Sequence, residues 1–354
     1  MILIDGSYGE GGGQILRLSI ALSCITGSDV KIFNVRAKRD NPGLRPQHVT
    51  SVKIAEEICR AQTEGVRVGS TEIVFRPSTI SPKNVEFDVG TAGSVTLIMQ
   101  TILPMLAFSE RRVEVVLKGG TDVPWSPPID YVRYVMIPHL SRLGYYVEAS
   151  LLRRGHYPRG GGIVKLRTLN TPKGFIPLNL TERGRLRIIR GVSHCVKLPK
   201  DVAVRQAENA KNYLKSRGVE APVEISVEFY EPDKDPHLGP GSGIVLWAET
   251  ENSILGGDSL GAKGKRAESV GVEAAEKLVQ DLNTGAALDR HMSDNILIYL
   301  ALSEGPSTIT GAEYSMHAHT ALWVLRQFLK INYEIRGELG KPFKLIIKPS
   351  KVKT

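Results

Sequence analysis

A recurring order of elements constrains this chain more than any single motif: helix, strand, helix, strand, strand, met three times in 354 residues. Apolar spacing near 3.6 marks the helices, and β-branched alternation between glycine and proline marks the strands. The first copy predicts helices over 14–25 and 47–61, with strands at 30–37, near Val66 and at 72–75. The second predicts helices over 94–108 and 129–143 and strands at 112–117, 145–151 and 162–166. The third predicts helices over 294–302 and 318–329 and strands at 308–313, 331–335 and 343–347. Residues 1–6 form a further first strand. Two helices over a small sheet leave a helix face bare, so such units must pack their helices into a shared core. The expectation is an α+β body with pseudo-threefold symmetry.

The stretch 184–282 breaks the pattern with its own strands at 186–195, 224–230, 244–250 and 254–260 and helices at 202–217 and 269–282. It is expected to be an inserted small α/β domain, leaving 1–183 and 283–354 as the catalytic core. Within it, 231–243 carries three prolines and three glycines and is expected to be an exposed, mobile connection.

Forty-six Lys and Arg against 37 Asp and Glu give a net charge of +9, which suits a polyanionic partner without naming one. Hydrophobic residues at 42% support a sizeable core. Cys24, Cys59 and Cys195 are too few and scattered for a disulfide framework and offer no CxxC pair, so buried thiols in a cytoplasmic setting are expected. The N-terminal stretch lacks the pattern of a signal peptide. The most apolar run, 95–108, spans about 14 residues where a bilayer needs roughly 20, and Gln100, Thr101 and Pro104 interrupt it. No membrane partner is expected.

Chemistry-bearing residues concentrate at a few turns. Gly9-Glu10-Gly11-Gly12-Gly13-Gln14 places four glycines between a strand and a helix, where backbone amides and the helix N-terminus favour an anion. It lacks the lysine of a P-loop and the GxGxxG spacing, so a plain turn remains the alternative. Glu10 beside such a cradle suits a bridging divalent cation. Arg36, Arg39 and Arg45, with Gln47 and His48 opening the next helix, suit phosphate binding or solvated surface charge. Residues 118–128 end a strand before a helix and suit a pocket wall or a rigid turn. His317 and His319 stand just before a helix, where the dipole disfavours imidazolium. Neutral imidazole is the form that attacks phosphorus, although a packing histidine is the blander reading.

In order, Asp5-Gly6, GEGGGQILR, RPQH at 45–48, GTAGS at 90–94, GGTD with Pro127-Pro128, YPRGGG at 157–162 and SMHAHT at 315–320 resemble the RNA 3'-terminal phosphate cyclase family nearly end to end. The resemblance implies three repeated units like the C-terminal domain of translation initiation factor three, plus the inserted domain. It implies ATP-dependent conversion of an RNA 3'-phosphate to a 2',3'-cyclic phosphodiester, with release of AMP and pyrophosphate. By the same resemblance His317, three residues before Thr320, is the nucleophile that becomes histidinyl-AMP, with His319 the alternative if the register slips. Glu10 falls where the family holds Mg2+ or another divalent cation. Arg17, Arg36, Arg39, Gln47 and His48 fall on phosphate or RNA positions, and Gln100, Pro127, His291, Asp294 and Asn295 on the ATP side. His291 and Asn295 depart from the Tyr and Gln of a bacterial form, which bears on nucleotide selectivity. The implied partners are ATP and RNA ending in a 3'-phosphate, and a homo-oligomer is compatible with the reading.

Two other functional classes share parts of this pattern. Catalytically silent relatives act with RNA in ribosome biogenesis and lack the nucleophilic histidine, which is present here. Enolpyruvyl transfer follows only from fold analogy and would not require His317.

Overall fold

Three four-stranded sheets follow one plan. The first runs Ile2–Asp5, Val30–Phe33, Ile73–Arg76, Gln62–Glu64. The second runs Val85–Asp88, Glu114–Gly119, Gly162–Thr168, Val147–Arg153, and the third Asn179–Leu180, Ser307–Gly311, Phe343–Pro349, Ile331–Arg336. In each, the first two strands are parallel and the later pairings antiparallel. A parallel pair demands a crossover. In the first sheet it is the helix Gly13–Thr26 and in the second Val95–Leu106. The computed structural model describes residues 1–349 of this mixed α+β chain.

Helix Gly13–Thr26 packs against Pro46–Cys59, Val95–Leu106 and Met316–Phe328. Ile15, Leu16, Ile20 and Leu22 are buried on it, each contributing about 1.5–3 kcal/mol relative to exposure. It stops at Gly27, whose φ of 66° lets the cap N–H reach Ser23 O. Cys24 and Cys59, buried on two of these helices, bring their sulfurs to 2.7 Å. The register of this helix fixes where the glycine turn before it emerges.

A fourth sheet, ordered Val223–Glu228, Leu186–Val196, Gly241–Thr250, Ile254–Leu260, carries helices Lys200–Ser216 and Ala267–Asn283. Its core, including Ile189, Leu246, Leu255 and Leu278, is separate from the main cluster. It meets the rest through Tyr131, Val135, Val245 and Trp247, with Trp247 stacked on Tyr134 at 4.3 Å.

Several expectations need correction. The strand expected at 30–37 ends at Phe33, because Asn34 and Arg36 take positive φ angles of 52° and 54° and turn the chain. The strand near Val66 lies at Gln62–Glu64. The leading strands Val85–Asp88 and Asn179–Leu180 escaped the sequence reading, being short and mixed in polarity. The helix at 129–142 contains a π turn, Val132–Met136. The helix expected at 294–302 is two short ones, Met292–Asn295 and Leu297–Ala301. The connection 231–243 is not wholly exposed: His237 is buried, and the next strand already starts at Gly241. Among the described residues no helix is long and apolar enough to cross a membrane.

Candidate active site

His317 lies in the first turn of helix Met316–Phe328, not before it as expected. Ser315 caps that helix: its hydroxyl accepts from Ala318 N–H at 3.0 Å and donates to Asp294 Oδ1 at 2.7 Å. Burial pushes the Asp294 carboxyl well above the carboxylate range, and Glu313, Asp289 and Glu10 add to it.

The His317 ring faces the glycine turn. Its Nδ1 is 3.0 Å from Gln14 Oε1 and 3.2 Å from Glu10 Oε2. A carboxylate has no hydrogen to give, so Nδ1 donates and the lone pair is left on Nε2. Nε2 has no hydrogen-bond partner among the described residues. Burial lowers the ring's pKa below the ordinary 6.5; Glu10 opposes this, while Arg17, His291 and Arg39 assist it. A neutral, oriented imidazole with one free nitrogen is the form a nucleophile requires.

His319 differs in kind. Tyr8 Oη is 3.0 Å from its Nε2 and Tyr314 Oη 2.9 Å from its Nδ1, so both nitrogens are engaged. It belongs to an aromatic stack in which Tyr8 lies 4.1 Å from Trp323.

The glycines are needed because side chains crowd the turn. A Cβ on Gly12 would stand 2.8 Å from Arg39 Nη2, and one on Gly13 would stand 3.0 Å from Arg17 Nη1 and closer still to His48 Nε2. One on Gly9, where φ is 55°, would collide with the Thr320 hydroxyl, a buried group without a partner. Arg39 also reaches Glu10 at 3.4 Å. Burial brings Arg17 down to about 10, which keeps it charged near neutrality, and it has no acidic partner among the described residues. His48 accepts Arg45 N–H on Nδ1 at 3.0 Å, so its hydrogen sits on Nε2, toward Gly13. Burial, then Arg17, Arg36 and Arg45, push it down to about 3, so it is a neutral donor.

The remaining expected residues divide. Arg36 donates to the carbonyls of Asn41, at 2.6 Å, and Gly43, at 3.0 Å; it braces its own turn and supplies field more than a free fork. Gln47 Oε1 accepts Ser94 N–H at 2.9 Å, tying the second helix to the 90–94 turn. Thr96 donates to Pro127 O at 2.7 Å, which fixes that wall. Gln100 and Asn295, 195 residues apart, join at 2.8 Å. His291 is exposed and meets the Tyr131 ring edge-on at 6.2 Å. Gln14 was not singled out from the sequence, although its place at the end of the glycine run, on the helix start, could have marked it.

A family model described as RNA 3'-terminal phosphate cyclase matches residues 8–335, and so spans every residue of this constellation. The chain belongs to that family. Among relatives named RNA 3'-terminal phosphate cyclase, that of Ignicoccus hospitalis is 54% identical over 349 residues, covering 98% of both chains. That of Hyperthermus butylicus is 52% identical, again over 98% of each, and that of Methanopyrus kandleri 50% over 99% of each. In this cyclase-family enzyme, then, His317 with its free Nε2 lies against the Glu10 carboxylate, which Arg39 also reaches.

Proposed function

We propose that this enzyme converts an RNA 3'-terminal phosphate into a 2',3'-cyclic phosphodiester at the expense of ATP, through a covalent adenylate on His317. The observation that carries the reading is the unpartnered Nε2 of His317 beside the glycine turn, with Nδ1 held by Gln14 and Glu10. Adenylation is required because a phosphate monoester oxygen is a poor leaving group.

Nε2 attacks the α-phosphorus of ATP; the N–P bond forms as the bridge to the β-phosphate breaks and pyrophosphate leaves. The developing imidazolium keeps its Nδ1 proton, which Gln14 and Glu10 stabilise. An oxygen of the RNA 3'-phosphate then attacks the same phosphorus and the N–P bond breaks, restoring the neutral ring. Finally the vicinal 2'-oxygen attacks the RNA phosphorus, its proton passes to solvent and AMP departs. Because nucleophile and phosphate share one nucleotide, this closure is effectively intramolecular. Arg17, Arg39 and the Nε2–H of His48 line the turn and bind phosphate oxygens. Arg36 and Gln47 hold the surrounding turns, and Gln100, Pro127, His291, Asp294 and Asn295 border the nucleotide side.

Glu10 suits Mg2+ or another hard divalent cation, since a single half-exposed carboxylate is the kind of protein ligand such an ion takes when phosphates and water complete its shell. A cation there would offset charge on the ATP phosphates.

The three like-ordered sheets and their helices support three repeated units with pseudo-threefold symmetry. The separate core of the fourth sheet supports an inserted domain over 184–282, with 1–183 and 283–354 as the catalytic body. The silent, RNA-binding alternative is not favoured, because His317 and Glu10 are both present and face each other.

The test is incubation with ATP labelled at the α-phosphate and Mg2+, followed by denaturing electrophoresis. An acid-labile, alkali-stable label is expected on the wild type, absent from His317→Ala and retained by His319→Ala. Cyclisation of RNA ends by the His317→Ala variant at the wild-type rate would refute the mechanism.

A further inference from the structure

Asp122, His156 and His194 lie outside the site described above, and their ligating atoms fall within 4.8 Å of one another. All three are buried, at 2%, 7% and 0% exposure. His156 Nε2 and His194 Nε2 are 3.0 Å apart, while the Nδ1 atoms of both rings are buried without partners. Close by, His237 gives Nδ1 to Asp235 at 2.7 Å and leaves a buried Nε2 equally unsatisfied. Each of the three rings keeps one buried nitrogen without a partner, while His156 and His194 meet each other through Nε2.

The geometry points to a buried divalent transition-metal site, of the zinc class, held by Asp122, His156 and His194. Two nitrogens ~2.0–2.1 Å from a tetrahedral zinc stand ~3.3 Å apart, so the observed 3.0 Å needs a shift of only a few tenths of an ångström. In the absence of metal one Nε2 must donate to the other; a cation replaces that contact with two coordinate bonds.

The Arg154 guanidinium opposes positive charge at both histidines, so a cation there relies on the carboxylates gathered around it. Arg154 is buried against three carboxylates, at 2.6 Å to Asp130, 2.7 Å to Glu228 and 3.3 Å to Asp122. Asp122 makes the longest of these contacts, and its Oδ2 also accepts the Thr121 hydroxyl at 2.6 Å. A cleft of about 470 Å³ is lined by Asp130, Arg154 and Glu228, the group to which Asp122 is joined through Arg154.

The ligands come from separate elements. Asp122 follows strand Glu114–Gly119, His156 follows Val147–Arg153, and His194 lies on Leu186–Val196 of the fourth sheet. The ion therefore pins the fourth sheet to the second. Its nitrogen donors distinguish it from the hard carboxylate at Glu10, and the inference does not rest on the cyclase reading.

The test uses untagged full-length protein stripped with a chelator. After addition of Zn2+ and desalting, elemental analysis should find about one equivalent retained, and Zn2+ should raise the thermal midpoint. Co2+ in its place should give the visible bands of a tetrahedral nitrogen-oxygen site, erased by excess Zn2+. The double variant His156→Ala/His194→Ala should retain no metal. Asp122→Asn, which keeps volume and most hydrogen bonding, should fold and bind at least ~10-fold more weakly. Wild-type protein that retains under about a tenth of an equivalent and shows no Co2+ spectrum overturns the site, as does Asp122→Asn binding as tightly as wild type.

Discussion

Gln14 and His317, 303 residues apart, meet at 3.0 Å where the first helix of the chain and the last begin side by side. The contact decides which ring nitrogen carries the proton, and so which one can attack phosphorus. His319, two residues on, has both nitrogens taken by tyrosines. Chemical competence therefore separates two histidines that sequence spacing alone leaves close to equivalent.

Replacing Gln14 with Leu removes an acceptor from a ring that, in the proposed mechanism, becomes cationic on adenylation. Hydrogen bonds to charged groups contribute about 1.5–3 kcal/mol, so adenylate formation should slow by roughly 10- to 150-fold. Single-turnover labelling with α-labelled ATP measures it. Glu10 retains a contact at 3.2 Å, so a complete loss would mean that Gln14 does more than orient the ring.

The glycine turn yields a second expectation. A Cβ on Gly13 would crowd His48 Nε2 and Arg17 Nη1 together, the two donors that face the cradle. Gly13→Ala should weaken binding of inorganic pyrophosphate and of ATP by at least ~10-fold, with a thermal midpoint close to wild type, since Ala is a better helix former than Gly. Calorimetric titration with both ligands reads it, and unchanged affinity would dismiss the cradle.

Ser315 couples stability to chemistry. Its hydroxyl both caps the His317 helix and bonds Asp294. Ser315→Ala should cost about 1 kcal/mol of stability. It should also slow adenylation, because the freed first turn carries His317, the proposed nucleophile. Denaturant unfolding and the labelling assay, run on the same preparation, separate the two effects; stability loss with full labelling would confine Ser315 to the fold.

The long helices were legible in the sequence because their apolar faces repeat over many residues: Ile15, Leu16, Ile20 and Leu22 announce a buried helix without any tertiary knowledge. The glycine turn and His317 were legible as residue types. Their partnership was not, since no local pattern encodes a contact across 303 positions. The leading strands Val85–Asp88 and Asn179–Leu180 carry too few side chains to show a period, yet their parallel pairing completes two sheets. The contacts of Arg36 were not legible either: its residue type and neighbours point to phosphate or solvent, and only the folded turn, where its φ is positive, shows the guanidinium donating to the carbonyls of Asn41 and Gly43.

Acid should destabilise the fold through His139. This ring is fully buried, its Nε2 meets the Ile254 carbonyl at 2.9 Å, and burial brings its pKa down to about 4 from the ordinary 6.5. The unfolded chain therefore binds a proton that the folded one refuses. The stabilisation is fully present above pH 6.5 and is lost as pH falls toward about 4, below which the folded ring also protonates. At pH 5 the loss from this residue is about 2 kcal/mol relative to neutral pH. Urea unfolding at successive pH values gives the slope. In His139→Leu the slope should fall by one proton between pH 5 and 6, even though the absolute stability drops with the lost Ile254 contact. An unchanged slope would mean that this ring already carries its proton in the folded protein.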